Sequence, residues 1–123
     1  MSLNVTVQTV VQFADSRTDL ADTITGSTAF QPTNAEGIVD MTIPTTSIPI
    51  FIPFPPTVTT ASVVCVKACD HAVSIYTEVD QYNMPVGSAL TVPAGQAQVL
   101  YGITALVVEA SADNTLVQYF ICG

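Results

Sequence analysis

Residues 43–56 read Ile-Pro-Thr-Thr-Ser-Ile-Pro-Ile-Phe-Ile-Pro-Phe-Pro-Pro, and this segment limits the folds that the chain can adopt. Its prolines fix φ and remove backbone donors, so no helix can pass through it. A central strand is excluded as well, because its ladder would lack too many N–H groups. The segment is therefore predicted to be an extended or edge-strand ribbon. Its isoleucines and phenylalanines are apolar, so we expect a surface of this chain or of a neighbour to cover them.

The composition indicates one domain over residues 1–123 that depends on an assembly. An N-terminal strand and irregular region (1–42) precedes the ribbon (43–56), and regular strands follow it (57–123). Hydrophobic residues make up 49% of the chain and charged residues only 10%, where soluble domains usually carry about a quarter. So few charged side chains cannot cover the surface, and we expect part of that surface to be buried between subunits.

The charge balance excludes several kinds of partner. The net charge is −8, and only Arg17 and Lys67 are positive. Nucleic acid requires clustered basic residues, and an anionic membrane surface requires them too, so neither is an expected partner. No run of about 18 apolar residues predicts a membrane span. The first residues, Met-Ser-Leu-Asn, lack the features of a signal peptide, which predicts synthesis in the cytoplasm.

Seven to nine short strands are expected, because Val/Ile/Thr-rich or alternating stretches recur about every 8–12 residues with turn residues between them. The predicted strands cover residues 3–13, 38–43, 57–68, 73–80, 89–92, 97–103, 105–110 and 115–122. We expect the strands at 57–68 and 73–80 to form a hairpin. The last two strands are apolar on both faces, which places them in the middle of a sandwich or at a subunit interface. The pattern favours an all-β fold, an antiparallel β-sandwich of jelly-roll type with an extended proline-rich arm.

One or two helical turns are predicted within residues 15–26. Ser16 and Asp19 resemble a capping box, and Leu20 and Ile24 have the i, i+4 spacing of helix neighbours. Residues 26–37 are rich in turn formers and are predicted to be irregular.

The candidate catalytic and metal-binding groups do not form a convincing site. Cys69-Asp70-His71 is interpreted as a turn, because catalytic partners usually come from distant segments. A calcium loop starting at Asp15 would need Gly and Glu where Leu20 and Gly26 stand. Four side chains could formally bind zinc: Cys65, Cys69, His71 and Cys122. Cys65 and Cys69 would have to leave regular strand geometry to converge on the ion. We therefore assign no catalytic, cofactor-binding or metal-binding residue.

The C-terminal half resembles a family of virion proteins. Leu-Thr-Val-Pro-Ala-Gly at 90–95, Val-Leu-Tyr-Gly-Ile-Thr-Ala-Leu-Val-Val at 99–108 and Asn-Thr-Leu-Val-Gln-Tyr-Phe-Ile-Cys-Gly at 114–123 carry the resemblance. Strands and turns in this order are similar to those of the small β-sandwich structural proteins of tailed bacteriophages, which include capsid decoration or cement proteins. The likeness covers about residues 60–123.

The resemblance implies a non-enzymatic protein of the virion, made in the host cytoplasm and located on the capsid surface. It would bind and stabilise the major capsid protein shell as a homo-oligomer, a dimer or trimer, without a cofactor. The residues predicted to make subunit or capsid contacts are Val5, Val7, Ile48, Ile50, Phe51, Ile52 and Phe54.

A second interpretation is a glycan- or host-receptor-binding module of a phage fibre or spike. Four tyrosines could form a sugar-binding platform, although strand tyrosines more often pack across strands: Tyr76, Tyr82, Tyr101 and Tyr119. An enzyme is the third interpretation, and it would require His71, a cysteine and an aspartate to converge in a pocket.

Overall fold

The protein is all-β, and its strands pair antiparallel in a computed structural model. The structure describes residues 4–15, 17, 20–35 and 37–123, and these residues contain no helix. The strands in chain order are β1 (Val5–Asp15), β2 (Leu20–Phe30), β3 (Val39–Ile43), β4 (Ile50–Phe51), β5 (Ala61–Ala68), β6 (Val73–Tyr76), β7 (Leu90–Val92), β8 (Ala97–Ile103), β9 (Val107–Ala110) and β10 (Thr115–Cys122). The prediction of an all-β fold with antiparallel sheets is confirmed.

The chain divides into two compact units, Met1–Pro32 and Thr33–Gly123. The first unit contains a long hairpin in which β1 pairs with β2 from Val5–Phe30 to Asp15–Leu20. The predictions of helical turns over residues 15–26 and of an irregular segment over residues 26–37 are wrong for residues 20–30, which lie in β2. Threonine-rich segments favour strands, and β1 supplies the backbone partners that a short helix would have to provide for itself. Ser16 and Asp19 lie outside the described residues.

The second unit contains two four-stranded antiparallel sheets that share one core. The first sheet has the order β3-β10-β5-β8, and the second has the order β4-β9-β6-β7. Buried side chains from both sheets form a single cluster that includes Val64, Val117, Ile75 and Val108. Alternate residues of β5 face this cluster: Val64, Val66 and Ala68 belong to it, whereas Lys67 is exposed.

The predicted hairpin between residues 57–68 and 73–80 is wrong. Its strands correspond to β5 and β6, which lie in different sheets. β5 pairs with β10 and β8, and β6 pairs with β7 and β9. Both strands place Val or Ile side chains in the shared core, so the connection over residues 69–72 crosses between the sheets instead of folding β6 back along β5.

The last strand, β10, lies between β3 and β5 in the first sheet. Val117 and Ile121 face the core, and Cys122 is buried. Leu116 is exposed on the opposite face, so β10 is central in its sheet without being covered on both sides along its full length.

Gly123 joins the end of β10 to the start of the second unit. The Thr33 and Asn34 N–H groups donate to the Gly123 carbonyl at 2.8 and 3.0 Å, and the Gly123 N–H donates to the Asn34 carbonyl at 3.1 Å. A Cβ atom at this position would stand 2.6 Å from Val58 Cγ1 and 2.7 Å from the Thr60 carbonyl oxygen. The backbone therefore approaches these residues more closely than a side chain allows.

Gly123→Ala is expected to lower the free energy of unfolding by about 1–3 kcal/mol, because the added methyl must displace backbone as well as a valine. Thermal or urea denaturation followed by circular dichroism measures the change. An unchanged denaturation midpoint would show that residues 33–34 and 58–60 move to accommodate the methyl group without a loss of stability.

Candidate interaction surface

The proline-rich ribbon forms one edge of the second sheet. Its strand β4 pairs with β9, Ile50 opposite Val108 and Phe51 opposite Val107. The Ile52 N–H continues the ladder by donating to the Leu106 carbonyl at 2.9 Å. The proline at 49 and the proline at 53 limit β4 to two residues. For residues 50–52, the prediction of an extended segment that cannot be a central strand is confirmed. These residues lie at the edge of the sheet, where the flanking prolines remove no N–H group that a further strand needs.

The structure places the seven predicted contact residues in three different settings. Ile52 belongs to the core and is 2% exposed, and Ile50 and Phe54 are partly buried against that core. Phe51 is 38% exposed and points away from the core, and Ile48 is exposed as well. Val5 and Val7 are half-buried in β1 of the N-terminal hairpin. Of the ribbon residues, only Phe51 and Ile48 therefore present large apolar surfaces.

An open groove of about 330 Å³ lies beside Phe51. Its lining comes from the ribbon, the start of the following connection and the turn between β8 and β9: Phe51, Pro53, Phe54, Val58, Thr59, Thr104 and Ala105. None of these residues is charged. A surface without charge in a protein of net charge −8 is a site at which another molecule can bury apolar area without desolvating ions.

The loop between β6 and β7 leaves the second sheet at the same end as this groove. Tyr76 is the last residue of β6 and pairs with Val107, the first residue of β9, which in turn pairs with Phe51. Residues 52–60, 77–89 and 104–106 consequently emerge next to one another. We call this end of the second unit the ribbon end. The loop adds exposed side chains to it, of which Tyr82 is 75% exposed and Met84 and Val86 are also exposed.

Hydrogen bonds hold this loop in one conformation. Asp80 Oδ1 accepts the N–H groups of Tyr82 at 2.8 Å and Met84 at 3.1 Å. Asn83 adopts a φ of 60°, which asparagine tolerates better than most residues. A β-bridge between Val79 and Pro85 closes the base. The sequence indicated only a turn here, and the Asp-x-x-Asn spacing followed by Pro was the signal for an ordered loop with apolar residues at its tip.

The opposite end of the second unit is polar. The Thr46 N–H donates to Asp113 Oδ1 at 2.8 Å, and the Leu116 N–H donates to Asp70 Oδ1 at 2.9 Å. Ser111 Oγ also donates to the Ala72 carbonyl at 2.7 Å. These side chains form hydrogen bonds with the backbone of the connections at that end, which is therefore polar and acidic. The groove at the ribbon end, in contrast, is lined by no charged residue.

Asp70 provides a pH-dependent contribution to stability. The hydrogen bond from the Leu116 N–H, followed by the charge of His71, lowers the pKa of Asp70 below its ordinary value of 3.8. A carboxylate with a lowered pKa in the folded state stabilises the fold above pH 3.8 and loses this effect as the pH falls through the folded pKa.

Asp70→Ala is therefore expected to reduce stability at pH 7, and the gap from wild type is expected to narrow as the pH falls below about 4. Urea denaturation of both proteins between pH 2.5 and 7 measures it. A gap that stays constant over this range would show that the ionised carboxylate is not responsible.

The groups considered for catalysis do not form a reactive site. His71 Nδ1 lies 3.4 Å from Asp70 Oδ1, but both side chains are exposed to solvent. Cys69 is exposed, and burial raises the pKa of the Cys65 and Cys122 thiols, which keeps them protonated and weakly nucleophilic. Among the described residues, no three side chains of His, Cys, Asp or Glu come together as metal ligands.

Comparisons with known proteins add no relative. No family model, no curated protein and no solved structure matches the chain. Within the part of the chain that the structure describes, there is no helix long and apolar enough to span a membrane. The functional assignment therefore depends on the surface chemistry of the chain and on its architecture.

Proposed function

We propose that this chain is a non-enzymatic virion structural protein, a capsid decoration or cement protein that binds the major capsid protein shell through its ribbon end. The observation that carries the proposal is the exposed Phe51 beside an uncharged groove of about 330 Å³. Aromatic side chains next to apolar pockets are the usual anchors of protein–protein interfaces. The ordered loop with Tyr82 and Met84 extends the same surface, and its fixed conformation reduces the entropy lost on binding.

The architecture supports the same proposal at the level of the fold. We infer a jelly roll from the strand orders β3-β10-β5-β8 and β4-β9-β6-β7, in which neighbouring strands are mostly distant in sequence. Eight-stranded jelly rolls of two antiparallel sheets recur in viral capsid proteins and in lectins. The proline-rich ribbon would act as the arm of this jelly roll through its solvent-facing side. A fold of this kind hosts several functions, so the argument for binding stays with the ribbon end.

The charge distribution suggests what the partner offers. A groove without charged residues suits an apolar segment of a capsid subunit, and the net negative charge of the chain helps free copies to stay in solution before binding. The contact is expected to persist at high salt, because burying apolar area does not depend on ion pairs.

Cosedimentation with purified particles tests the proposal. Particles of the phage that carries this chain, prepared without it, are mixed with the purified protein and pelleted, and the bound protein is located by electron microscopy. Saturable binding with density on the capsid shell is the expected result. Absence of binding to intact particles, or density only on tail fibres, would reject the cement assignment.

A glycan- or receptor-binding module of a fibre or spike is the second candidate. It is favoured by the highly exposed Tyr82 in a loop that also holds two carboxylates, Glu78 and Asp80. Tyrosine faces next to carboxylates suit sugar rings and hydroxyl groups. Binding on a glycan array that Tyr82→Ala removes, together with density on fibres, would favour this function over the first.

A further inference from the structure

We propose that Asn34 is a positioning residue for the ribbon end, because its side chain holds the turn at residues 55–58 in a strained conformation and thereby fixes one wall of the groove. The part of this inference that concerns binding rests on the proposed function. The part that concerns the turn is tested on the free protein, so the two can fail separately.

Residues 55–58 form a tight turn whose third residue is strained. The Val58 N–H donates to the Pro55 carbonyl at 3.1 Å, and Thr57 has a φ of 71°. A positive φ at the third position is the pattern of a type II turn, which normally has Gly or Asn there. Threonine is β-branched, so a positive φ is a marked outlier for it. A flip of the peptide between Pro56 and Thr57 would convert the turn to type I and give Thr57 a negative φ.

Asn34 forms a hydrogen bond with the carbonyl group that distinguishes these two turns. Its side-chain amide donates to the Pro56 carbonyl at 2.6 Å. The flip to type I would turn this carbonyl away and break the hydrogen bond. Asn34 is itself held in place, since its N–H donates to the Gly123 carbonyl at 3.0 Å and its own carbonyl accepts the Gly123 N–H at 3.1 Å. The strained turn is therefore anchored to the backbone at the end of β10.

The strain at Thr57 and the hydrogen bond from Asn34 are of similar size. A residue with a side chain loses free energy in the left-handed region, and this loss is comparable with the net contribution of one hydrogen bond in water. The hydrogen bond is exposed, so water competes for both of its partners. The two states of the turn therefore lie close in free energy, and loss of the hydrogen bond favours the relaxed state.

The segment at residues 53–59 contains this turn and supplies most of the groove. Four of the seven residues that line the groove come from it: Pro53, Phe54, Val58 and Thr59. Its three prolines lack N–H groups. Among the described residues, the Asn34 side chain makes the only hydrogen bond between this segment and the rest of the chain. Loss of that bond is therefore expected to shift Val58 and Thr59, while Phe51 stays paired with β9.

Asn34→Asp tests the turn in the free protein by nuclear magnetic resonance. The variant keeps the shape of the side chain, removes its amide donor and places a carboxylate beside the Pro56 carbonyl. The Pro56 Hα lies close to the Thr57 N–H in a type II turn and farther away in type I. The nuclear Overhauser effect between these two protons should therefore be strong in wild type and weak in the variant. The resonances of Val58 and Thr59 should shift as well.

Asn114→Asp is the matched control. It makes the same chemical change in the turn before β10, at the polar end of the second unit, where Asn114 has a φ of 55° that aspartate also tolerates. The nuclear Overhauser effect between Pro56 and Thr57 should keep its wild-type intensity in this variant.

Thr57→Gly separates positioning from a general loss of stability. Glycine adopts a positive φ without strain, so a variant with both Asn34→Asp and Thr57→Gly should keep the type II turn without the hydrogen bond. In cosedimentation with particles, Asn34→Asp should lose about fivefold or more in affinity, whereas the double variant and Asn114→Asp should lose less than about twofold. Circular dichroism checks that all variants are folded.

A type II signal that persists in Asn34→Asp, or one that Thr57→Gly does not restore, would overturn the inference about the turn. Equal affinity of wild type and Asn34→Asp for particles would show that Asn34 does not position the groove for binding. If wild-type protein binds no particles, the proposed function fails. The signals of Pro56, Thr57, Val58 and Thr59 in the free protein then still decide whether Asn34 holds the turn and the groove wall.

Discussion

Phe51→Asp is expected to abolish binding to phage particles while the purified protein remains folded. Phe51 lies on the solvent side of an edge strand, and its backbone pairing with Val107 does not depend on the side chain. An interface anchor of this kind contributes about 2 kcal/mol or more, which corresponds to a loss of affinity of about 30-fold or greater. A buried aspartate would add the cost of an unpaired charge. Cosedimentation with particles measures the affinity, and circular dichroism checks the fold.

Ile38→Asp is the matched control for this experiment. Ile38 is exposed and lies beside Cys65, Gln118 and Phe120 of the first sheet, so the variant adds the same charge outside the residues of the ribbon end. It should bind particles as wild type does. Phe54→Asp needs a separate stability measurement, because Phe54 packs partly against the core and its replacement lowers both stability and binding. If the Phe51→Asp protein decorates shells at wild-type occupancy, the ribbon end is not the surface that binds the capsid.

Leu106→Ala is expected to lower the free energy of unfolding by about 2–5 kcal/mol, a large part of the 5–15 kcal/mol typical of a domain. Leu106 is 0% exposed and belongs to the core between the two sheets. Its carbonyl also accepts the Ile52 N–H, so the cavity would open where the ribbon joins the sheet. Urea denaturation followed by tyrosine fluorescence measures the change.

Leu116→Ala provides the same chemical change at a residue that is 48% exposed. It should alter the free energy of unfolding by less than about 1 kcal/mol, as surface substitutions usually do. If the two variants lose similar amounts of unfolding free energy, Leu106 is not part of a core packed between the two sheets.

Most strands of the second unit were predictable from local pattern. The segments predicted at residues 97–103 and 115–122 coincide with β8 and β10, and the segment predicted at 38–43 differs from β3 by one residue. Alternation is a local signal, because every second side chain of a half-buried strand faces the same environment. The exclusion of a central strand from the ribbon is also local, since proline lacks an N–H whatever surrounds it.

Strand pairing and the N-terminal hairpin were less accessible from the sequence. β5 and β6 are adjacent in the chain and resemble hairpin strands, yet each pairs with strands that lie far away in sequence. Leu20 and Ile24 have a spacing that suits a helix, and the competing pairing with β1 is a contact between segments. Local propensity cannot weigh a partner that is not in the same window.

The candidate site shows the same division. The prolines and aromatic residues of the ribbon identify it as a candidate site in the sequence, but they do not predict which of its side chains are buried. Ile52 enters the core, whereas Phe51 faces solvent. The position of the loop with Tyr82 and Met84 at the ribbon end depends on strand pairing. Phe51, Val107 and Tyr76 lie side by side on three strands, and the loop follows Tyr76.

The sequence by itself determined that residues 50–52 lie at the edge of a sheet and that short strands follow. Each of these properties belongs to single residues or to their immediate neighbours, so no knowledge of distant contacts was needed. The tertiary structure decided which strands pair, that ribbon residue 51 faces outward, and that an uncharged groove and an ordered loop meet at one end. Those properties depend on register between distant segments, and register is fixed only when two sheets bury their apolar faces in a common core.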